Sequence, residues 1–270
     1  MGEEPTTQQR AEREADCDRF HEAYELQGLQ KRLRAEAWGE QYPEQVDPTS
    51  SCTWSVLGEM VGRLRMRPDA LLVDLGCGRG GTGLWLARAL QARLIGVDVS
   101  SRAVQFARRR SAQFLPEGRA EFRTATFEHT GLPDACADGV VSMDALPFAF
   151  DRGAALAELR RILKPGARAV FTGVRRLPGH PSYDPAAPTW PERIARSGLE
   201  LETEIARPEE PELWDRLYAL LTEHEDEVRA ELGAQSADVL YDEVRAAGPT
   251  IHLRVASLYA VRAPRYAAQQ

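Results

Sequence analysis

Short apolar runs recur along the middle of the chain, and each ends in glycine or polar residues. They span residues 71–76, 93–99, 120–124, 138–143, 168–174 and 199–205. Runs of this length and character are typical of strands buried on both faces of a parallel sheet. Apolar spacings of three and four predict helices between them, at 83–90, 102–111, 154–163 and 190–197, and Ser100 is the predicted N-cap of the second. This alternation predicts a doubly wound, mostly parallel α/β sheet with helices on both faces.

Both flanks of this pattern are helical in character. Residues 1–19 are charged and predict a frayed or loosely helical terminus, whereas 20–67 hold amphipathic helices with breaks at Pro43 and Pro48. Two acidic amphipathic helices are predicted at 212–232 and 236–246, and a final strand at 251–262.

These patterns divide the chain into four segments. They are an N-terminal helical cap at 1–68, an α/β core at 69–206, a helical lid insertion at 207–250, and a last core strand with a tail at 251–270. Ligands bind outside the carboxyl ends of the strands in such sheets, so we expect the cap and lid to cover that edge. Their aromatic residues either line a pocket or serve in packing: Tyr24, Trp38, Tyr42, Trp54, Trp214 and Tyr218.

Composition excludes several classes of protein. The chain has 270 residues with 43% hydrophobic and 28% charged residues, which fits an ordinary globular protein. It lacks an apolar stretch long enough to span a membrane, and its polar N-terminus predicts a cytoplasmic location. The four cysteines are scattered, which predicts neither a disulfide framework nor a zinc site. A net charge of −7 gives no general attraction to nucleic acid.

A glycine-rich loop at 74–83 follows the first predicted strand. Glycines at such a turn permit positive φ angles and bring the backbone close to a ligand. Gly76, Gly78 and Gly81 fit the G-x-G-x-x-G pattern, and Asp98 ends the next strand, where dinucleotide-binding proteins carry an acidic residue for the ribose. On this pattern alone, an NAD-dependent oxidoreductase remains an alternative.

Asp74 favours a different ligand. It precedes the first glycine by two residues, and a carboxylate there would repel a pyrophosphate but attract a sulfonium and an α-amino group. A second glycine-rich loop for the other half of a dinucleotide is also lacking.

Here the sequence resembles the class I S-adenosylmethionine-dependent methyltransferases over roughly residues 70–174. The resemblance rests on VDLGCGRG, GVDVS, TFEHTGLPDACADGVVSMDAL and RILKPGARAVFTGV. Within that superfamily it is most similar to the small-molecule group of ubiquinone/menaquinone, sarcosine and natural-product methyltransferases. It implies a Rossmann-like fold with a seven-stranded sheet, and S-adenosylmethionine as the cofactor.

The resemblance also implies a role for each matching residue. Asp74 and the backbone of Gly76, Cys77, Gly78 and Gly80 would surround the methionine end. Asp98 would accept both ribose hydroxyls, and the remaining contacts would come from Val99, Ser100, Thr126, Phe127, Glu128, Ser142 and Met143. Many relatives carry an aspartate where this chain has Thr126, so that assignment is the weakest of the set.

The sequence shows no obvious catalytic residue. Methyl transfer from a sulfonium needs a base only when the acceptor must lose a proton, and alignment alone can supply about 7–11 kcal/mol. Asp144, which follows the fourth strand, and His180, in a proline-rich loop, are weak candidates. The apolar stretch at 145–150 predicts an apolar wall near the acceptor, and no histidine pair has metal-ligand spacing, so no metal is predicted.

The acceptor is expected to be a small molecule, as in secondary metabolism. Arg108–Arg110 is the only basic run, and the sequence has no tetrad for nucleic-acid amino methylation. Nitrogen, oxygen and carbon acceptors all remain open, as does pairing of the N-terminal helices in a homo-oligomer. A protein of the same fold that binds the cofactor without transfer, such as a cyclase, is the main alternative.

Overall fold

A sheet of seven strands lies at the centre of the computed structural model, which describes residues 6–23 and 28–265. The strands are β1 Leu71–Leu75, β2 Arg93–Asp98, β3 Ala120–Thr124, β4 Ala137–Ser142, β5 Leu163–Arg176, β6 Glu200–Ala206 and β7 Arg254–Arg262. Their order is β3-β2-β1-β4-β5-β7-β6, and only β7 runs antiparallel to its neighbours. The prediction of a mostly parallel seven-stranded sheet is confirmed.

Helices cover both faces of this sheet. Those in the described ranges are α1 Thr7–Ala23, α2 Gly28–Trp38, α3 Trp54–Leu64, α4 Gly81–Ala89, α5 Ser101–Arg110, α6 Arg152–Ile162, α7 Trp190–Arg196, α8 Glu209–Glu223, α9 Glu225–Leu232 and α10 Ala234–Ala247. Leu72 of β1 packs in the core formed with α3, α4 and α5, whereas its neighbour Val73 packs in the core formed with α6 and α7. The alternation follows from the two-residue period of a strand.

Side-chain caps fix where several helices begin. The Thr53, Ser100 and Asp151 side chains accept hydrogen bonds from backbone amides at the starts of α3, α5 and α6. Ser100 was expected in this role, because serine at an N-cap satisfies an amide that has no partner within the helix.

Cap and lid helices pack together into one helical layer, formed by α2, α8, α9 and α10. Leu33 and Trp38 of α2 share a buried cluster with Trp214 and Leu217 of α8, and the Trp38 and Trp214 rings meet edge to face. The predicted segment boundaries remain predictions. Helix α3 falls within the predicted cap segment, 1–68. It packs against the sheet, however, and not within the helical layer.

Of two predictions about the flanks, the structure shows one alternative of the first and contradicts the second. Residues 7–23 form one continuous helix, the helical alternative for the charged N-terminal segment, and this α1 packs against α5 and α10. The lid holds three helices instead of two, because the backbone turns away from helical geometry at His224, with φ −104° and ψ 24°.

Two strand boundaries also differ from the prediction. Strand β5 begins at Leu163, which pairs with Ala137 before an irregularity shifts the register, so the 164–166 segment lies within the strand. Strand β7 begins only at Arg254, because 248–253 form a 3-10 helix that follows α10. None of the described helices combines the length and apolar character that crossing a bilayer requires.

Candidate functional site

The glycine loop between β1 and α4 is folded tightly against the end of β2. Gly76 and Cys77 both donate backbone hydrogen bonds to the Val97 carbonyl, at 2.8 and 3.0 Å. Gly76 has a φ of +72°, and a Cβ there would lie 2.3 Å from that of Ala145. Only glycine combines this backbone angle with so close an approach.

Asp74, the residue before the last of β1, is a buried carboxylate with 1% of its surface exposed. Within the described ranges, its Oδ2 has no hydrogen-bond partner. Burial, and secondarily the charge of Asp98, raise its pKa to about 7, while the Gly83 amide acts in the opposite direction. A cation placed beside this group would favour its charged form.

Asp98 ties the glycine loop to the start of α5. Its Oδ2 accepts from the Gly78 amide at 2.7 Å, and its Oδ1 accepts from the Ser100 amide at 2.9 Å. An ionised carboxylate can accept about four hydrogen bonds, so capacity remains for hydroxyl donors. Burial, followed by the charges of Asp98 and Asp74, raises the pKa of the Cys77 thiol well above its usual range, which disfavours a thiolate nucleophile here.

A cleft of about 400 Å³ lies against this loop. It brings together five of the predicted cofactor residues: Asp74, Gly76, Cys77, Gly78 and Met143. The cleft is completed by residues 47–50, which the sequence analysis did not assign, and by Arg79, Gly81 and Thr82. Gly81 packs against the residue that precedes this wall, because a Cβ at Gly81 would lie 2.1 Å from the Val46 carbonyl oxygen.

The other predicted cofactor residues lie around the loop but do not line this cleft. Phe127 packs against Gly76, with its ring 3.0 Å from the position of a Cβ there. Glu128 and Ser142 are buried, and in the part of the chain that the structure describes the Glu128 Oε2 and the Ser142 Oγ have no hydrogen-bond partner. Thr126 and Val99 are half-buried, and Gly80, with φ +78°, begins α4 as its N-cap.

Helix α1 lies across the glycine loop and the start of α5, an arrangement that the sequence analysis did not predict. The Asp18 carboxylate accepts from the Ser100 hydroxyl and, at 3.1 Å, from the Arg102 amide. The His21 Cε1 lies 3.3 Å from where a Cβ of Gly78 would be. Burial lowers the pKa of His21, although Asp98 nearby acts to raise it. The Asp98 side of the site is therefore covered in this conformation.

The two weak catalytic candidates lie outside the cleft lining. Asp144 Oδ2 accepts from the Ser51 amide and hydroxyl at 2.7 and 2.6 Å, and its Oδ1 accepts from the Thr172 hydroxyl at 2.8 Å. Arg207, which is 3% exposed, donates to the Ser51 hydroxyl and carbonyl. This network, Asp144–Ser51–Thr172–Arg207, joins cap, core and lid.

His180 lies in the loop after β5, where its Nδ1 accepts from the Ser182 amide at 3.0 Å. Partial burial and the charges of Arg176 and Arg254 lower its pKa. Its catalytic role, like that of Asp144, stays a prediction. In the part of the chain that the structure describes, no cluster of three histidine, cysteine or acidic side chains could hold a metal ion.

The lid and cap aromatics divide into three groups. Trp38, Trp214 and Tyr218 are buried within the helical layer. Tyr42 is buried too, and its hydroxyl donates to Asp47 Oδ1 at 3.1 Å. Trp54 is exposed and packs edge to face on Trp85, and Tyr24 lies outside the described residues.

Residues 73–171 match a family model described as "Methyltransferase domain". The match runs from β1 into β5 and includes the glycine loop, Asp98, Glu128 and Asp144.

Two curated proteins and one solved structure show the range of similar proteins. Dimethylglycine N-methyltransferase of Parasynechococcus marenigrum is 31% identical over 184 residues, 62% of this chain and 61% of that protein. The S-adenosyl-L-methionine-dependent Diels-Alderase iccD of Talaromyces variabilis is 34% identical over 122 residues, 44% of this chain and 41% of that protein. The cyclopropane synthase MmaA2 from Mycobacterium tuberculosis superposes with a TM-score of 0.69 at 16% identity, covering 91% of this chain and 98% of that one. The chain matches about half the length of the first curated relatives.

Proposed function

We propose that this chain, whose residues 73–171 form a class I methyltransferase domain, binds S-adenosylmethionine at the glycine loop and transfers its methyl group to a small-molecule acceptor. The observation that carries the proposal is Asp74, a buried carboxylate with an unpartnered oxygen facing a cleft beside glycines of positive φ. A ligand with cationic groups stabilises this carboxylate, whereas a pyrophosphate would oppose it.

The residues present fit S-adenosylmethionine. Among the described residues, three buried acceptor atoms without hydrogen-bond partners belong to residues predicted from the resemblance: Asp74 Oδ2, Glu128 Oε2 and Ser142 Oγ. Buried polar atoms are rarely left unsatisfied, so the Asp74 oxygen in the cleft lining supports a polar ligand there. In the proposed arrangement Asp74 binds the amino end, Asp98 accepts the ribose hydroxyls, and Glu128 accepts from the adenine amino group.

The protein's contribution to the reaction is alignment. When bound, S-adenosylmethionine supplies a methyl group that is already activated for in-line displacement. Backbone groups of the loop at 74–83 contact the donor in this proposal, and Met143 supplies an apolar wall at the cleft. Excluding water and holding two reactants in line can account for about 7–11 kcal/mol of the barrier, so a catalytic base is required only where the acceptor must lose a proton.

We propose a small metabolite, as in secondary metabolism, as the acceptor, and a cytoplasmic setting. The basic run Arg108–Arg110 lies at the end of α5, where the Arg108 and Arg110 side chains already donate to backbone carbonyls, which leaves little for a nucleic-acid surface. Nitrogen, oxygen and carbon acceptors remain alternatives, as does a homo-oligomer.

The first test of the proposed function measures cofactor binding. Calorimetry should show S-adenosylhomocysteine binding to the wild-type chain, and Asp98→Ala should abolish it. Because Asp98 also holds the Gly78 amide, Asp98→Asn, which keeps one oxygen acceptor, serves as the better-folded companion variant. Unchanged affinity in both variants would contradict the ribose assignment, and failure of the wild-type chain to bind while NAD binds would contradict the proposed cofactor.

A second function, cofactor binding without methyl transfer, is favoured by one comparison. The relative named as a Diels-Alderase is 34% identical to this chain over the matched region. Incubating the protein with methyl-labelled S-adenosylmethionine and a metabolite extract distinguishes methyl transfer from cofactor binding without transfer. Label recovered in a metabolite supports transfer, and its absence despite tight cofactor binding supports the alternative.

A further inference from the structure

Two segments that line the cleft are joined immediately behind it. Ser51, which is fully buried, follows the 47–50 wall in the chain, and Asp144 follows Met143, which lines the cleft just after β4. The Asp144 Oδ2 accepts hydrogen bonds from the amide and the hydroxyl of Ser51, at 2.7 and 2.6 Å. The residue that follows one wall is therefore bonded to the residue that follows the other, although 93 positions separate them in the chain.

Asp144 is held in an unusual backbone conformation by contacts of its own. Its φ is +52°, in the left-handed region that residues other than glycine seldom adopt. The buried Thr172 hydroxyl accepts from the Asp144 amide at 2.6 Å and donates to the Asp144 Oδ1 at 2.8 Å. Such a conformation persists only where surrounding contacts enforce it, so the position of Asp144 is fixed on the side of the sheet.

The lid contributes one side chain to this arrangement, that of Arg207. The Arg207 backbone lies between β6 and α8, where its amide donates to the Ala256 carbonyl of β7 and its carbonyl accepts from the Glu210 amide. Its guanidinium donates to the hydroxyl and to the carbonyl of Ser51, at 2.9 and 2.7 Å. Because a guanidinium is a planar, rigid fork, two hydrogen bonds to one residue fix orientation as well as distance.

The charge of the buried Arg207 guanidinium is compensated by two carboxylates. Glu209 Oε1 lies 3.3 Å from the Arg207 Nε, and the Ser51 hydroxyl accepts from Arg207 while it donates to Asp144. Burying a charge is unfavourable unless partners compensate it, and removing one partner leaves the other buried without compensation. We therefore expect the position of Ser51 to depend on Arg207 as well as on Asp144.

We propose that Arg207 is a positioning residue that makes cofactor binding depend on the lid, because it holds Ser51 and thereby the 47–50 wall of the cleft. The inference rests on the proposed function for the identity of the ligand in the cleft. Because coupling between two sites is reciprocal, a bound cofactor stabilises the start of the lid by the same free energy that the lid contributes to cofactor binding.

The first experiment measures S-adenosylhomocysteine affinity by calorimetry, well below the unfolding temperature of each variant. Arg207→Gln should weaken binding about tenfold. Arg207→Lys, which keeps the charge but replaces the fork by a single nitrogen, should weaken it by a smaller factor. Ser51→Ala removes only the hydroxyl and should also weaken binding, so it tests the same contact if Arg207→Gln does not fold.

Two control variants distinguish positioning from a general loss of stability. Arg216→Gln changes another arginine of α8, which donates to the Ala37 carbonyl of α2 at 3.0 Å instead of to Ser51. Ile194→Ala creates a cavity in the core between the sheet and helices α6 and α7, so it lowers stability without changing a hydrogen bond of Ser51. Both should bind S-adenosylhomocysteine as the wild type does. Losses in the controls equal to that of Arg207→Gln would overturn the proposal.

The second experiment tests the reciprocal effect by hydrogen exchange at saturating S-adenosylhomocysteine. The ligand should slow exchange of the backbone amides at the start of α8 in the wild type and in Arg216→Gln, but not in Arg207→Gln. Equal slowing in all three, or wild-type affinity in both Arg207→Gln and Ser51→Ala, would contradict this inference alone. A wild-type chain that binds no S-adenosylhomocysteine would contradict the proposed function, and this inference with it.

Discussion

The cleft at the carboxyl edge of the sheet and the helical layer above it are built by different means. Most of the cleft lining comes from one stretch, 74–83, whose shape depends on backbone geometry, and residues 47–50 and Met143 complete it. The helical layer brings α2 to α8, which lie more than 170 residues apart, through aromatic packing. In the proposed function, donor binding would therefore depend mainly on one stretch of the sequence, whereas the helical layer is assembled from distant segments.

The largest expected effect tests whether the cleft depends on backbone geometry. Gly76→Ala places a methyl group 2.3 Å from Ala145, so we expect S-adenosylhomocysteine affinity to fall at least about a hundredfold, with loss of stability. Gly118→Ala is the matched control, because Gly118 also has a positive φ, +78°, but open space around its Cβ position. Calorimetry and thermal unfolding of both variants distinguish the effect of the steric clash with Ala145 from the effect of placing alanine at a positive φ. Equal losses of affinity in the two variants would show that the close approach of Gly76 to Ala145 is not required for binding.

The second effect concerns the charge in the cleft. With the pKa of Asp74 near 7, affinity for S-adenosylhomocysteine should rise about tenfold between pH 6 and pH 8, as the carboxylate ionises. Asp74→Asn should bind weakly and without this pH dependence. Because the folded pKa exceeds the unfolded value of 3.8, this group should lower ligand-free stability as pH rises from about 4 towards 7. A wild-type affinity that does not change with pH would contradict the assignment.

The third effect tests the connection between the two regions. Asp144→Asn disturbs three hydrogen bonds that join core, cap and lid, so we expect a loss of about 1–3 kcal/mol in the free energy of unfolding. Thr172→Val removes a hydroxyl from the same network, and the double variant should lose less than the sum of the two. Denaturant unfolding measures all three. Strict additivity would indicate that the Asp144–Ser51–Thr172–Arg207 network does not act as a unit.

The smallest effect concerns the cover over the cleft. Asp18→Ala removes the contacts of α1 with Ser100 and Arg102, and should cost about 1 kcal/mol while speeding S-adenosylhomocysteine association. Asp16→Ala, which removes an exposed ion pair with Arg19 on the same helix, is the control. Stopped-flow binding measures the rates. Identical association rates in the two variants would show that α1 does not limit access.

The same contrast explains what the sequence could predict. The strand, glycine loop and Ser100 cap follow from local rules, and the structure has each of them within a few residues of the predicted place. The position of α1 could not be predicted, because Asp18 and His21 meet residues about 57 or more positions away and carry no periodic signal. The 47–50 wall was also missed, because a polar turn becomes part of a site only through the fold around it.

Strand β7 has a consequence for how the protein is made. It inserts between β5 and β6 and, among the described strands, it alone pairs with β6, so the sheet stays incomplete until residues 254–262 have left the ribosome. During synthesis, β6 must wait with its edge unpaired while α8, α9 and α10 are translated. Closure of the sheet is therefore a late, non-local step of folding, and nascent chains that stop before Arg254 should be the species that chaperones retain.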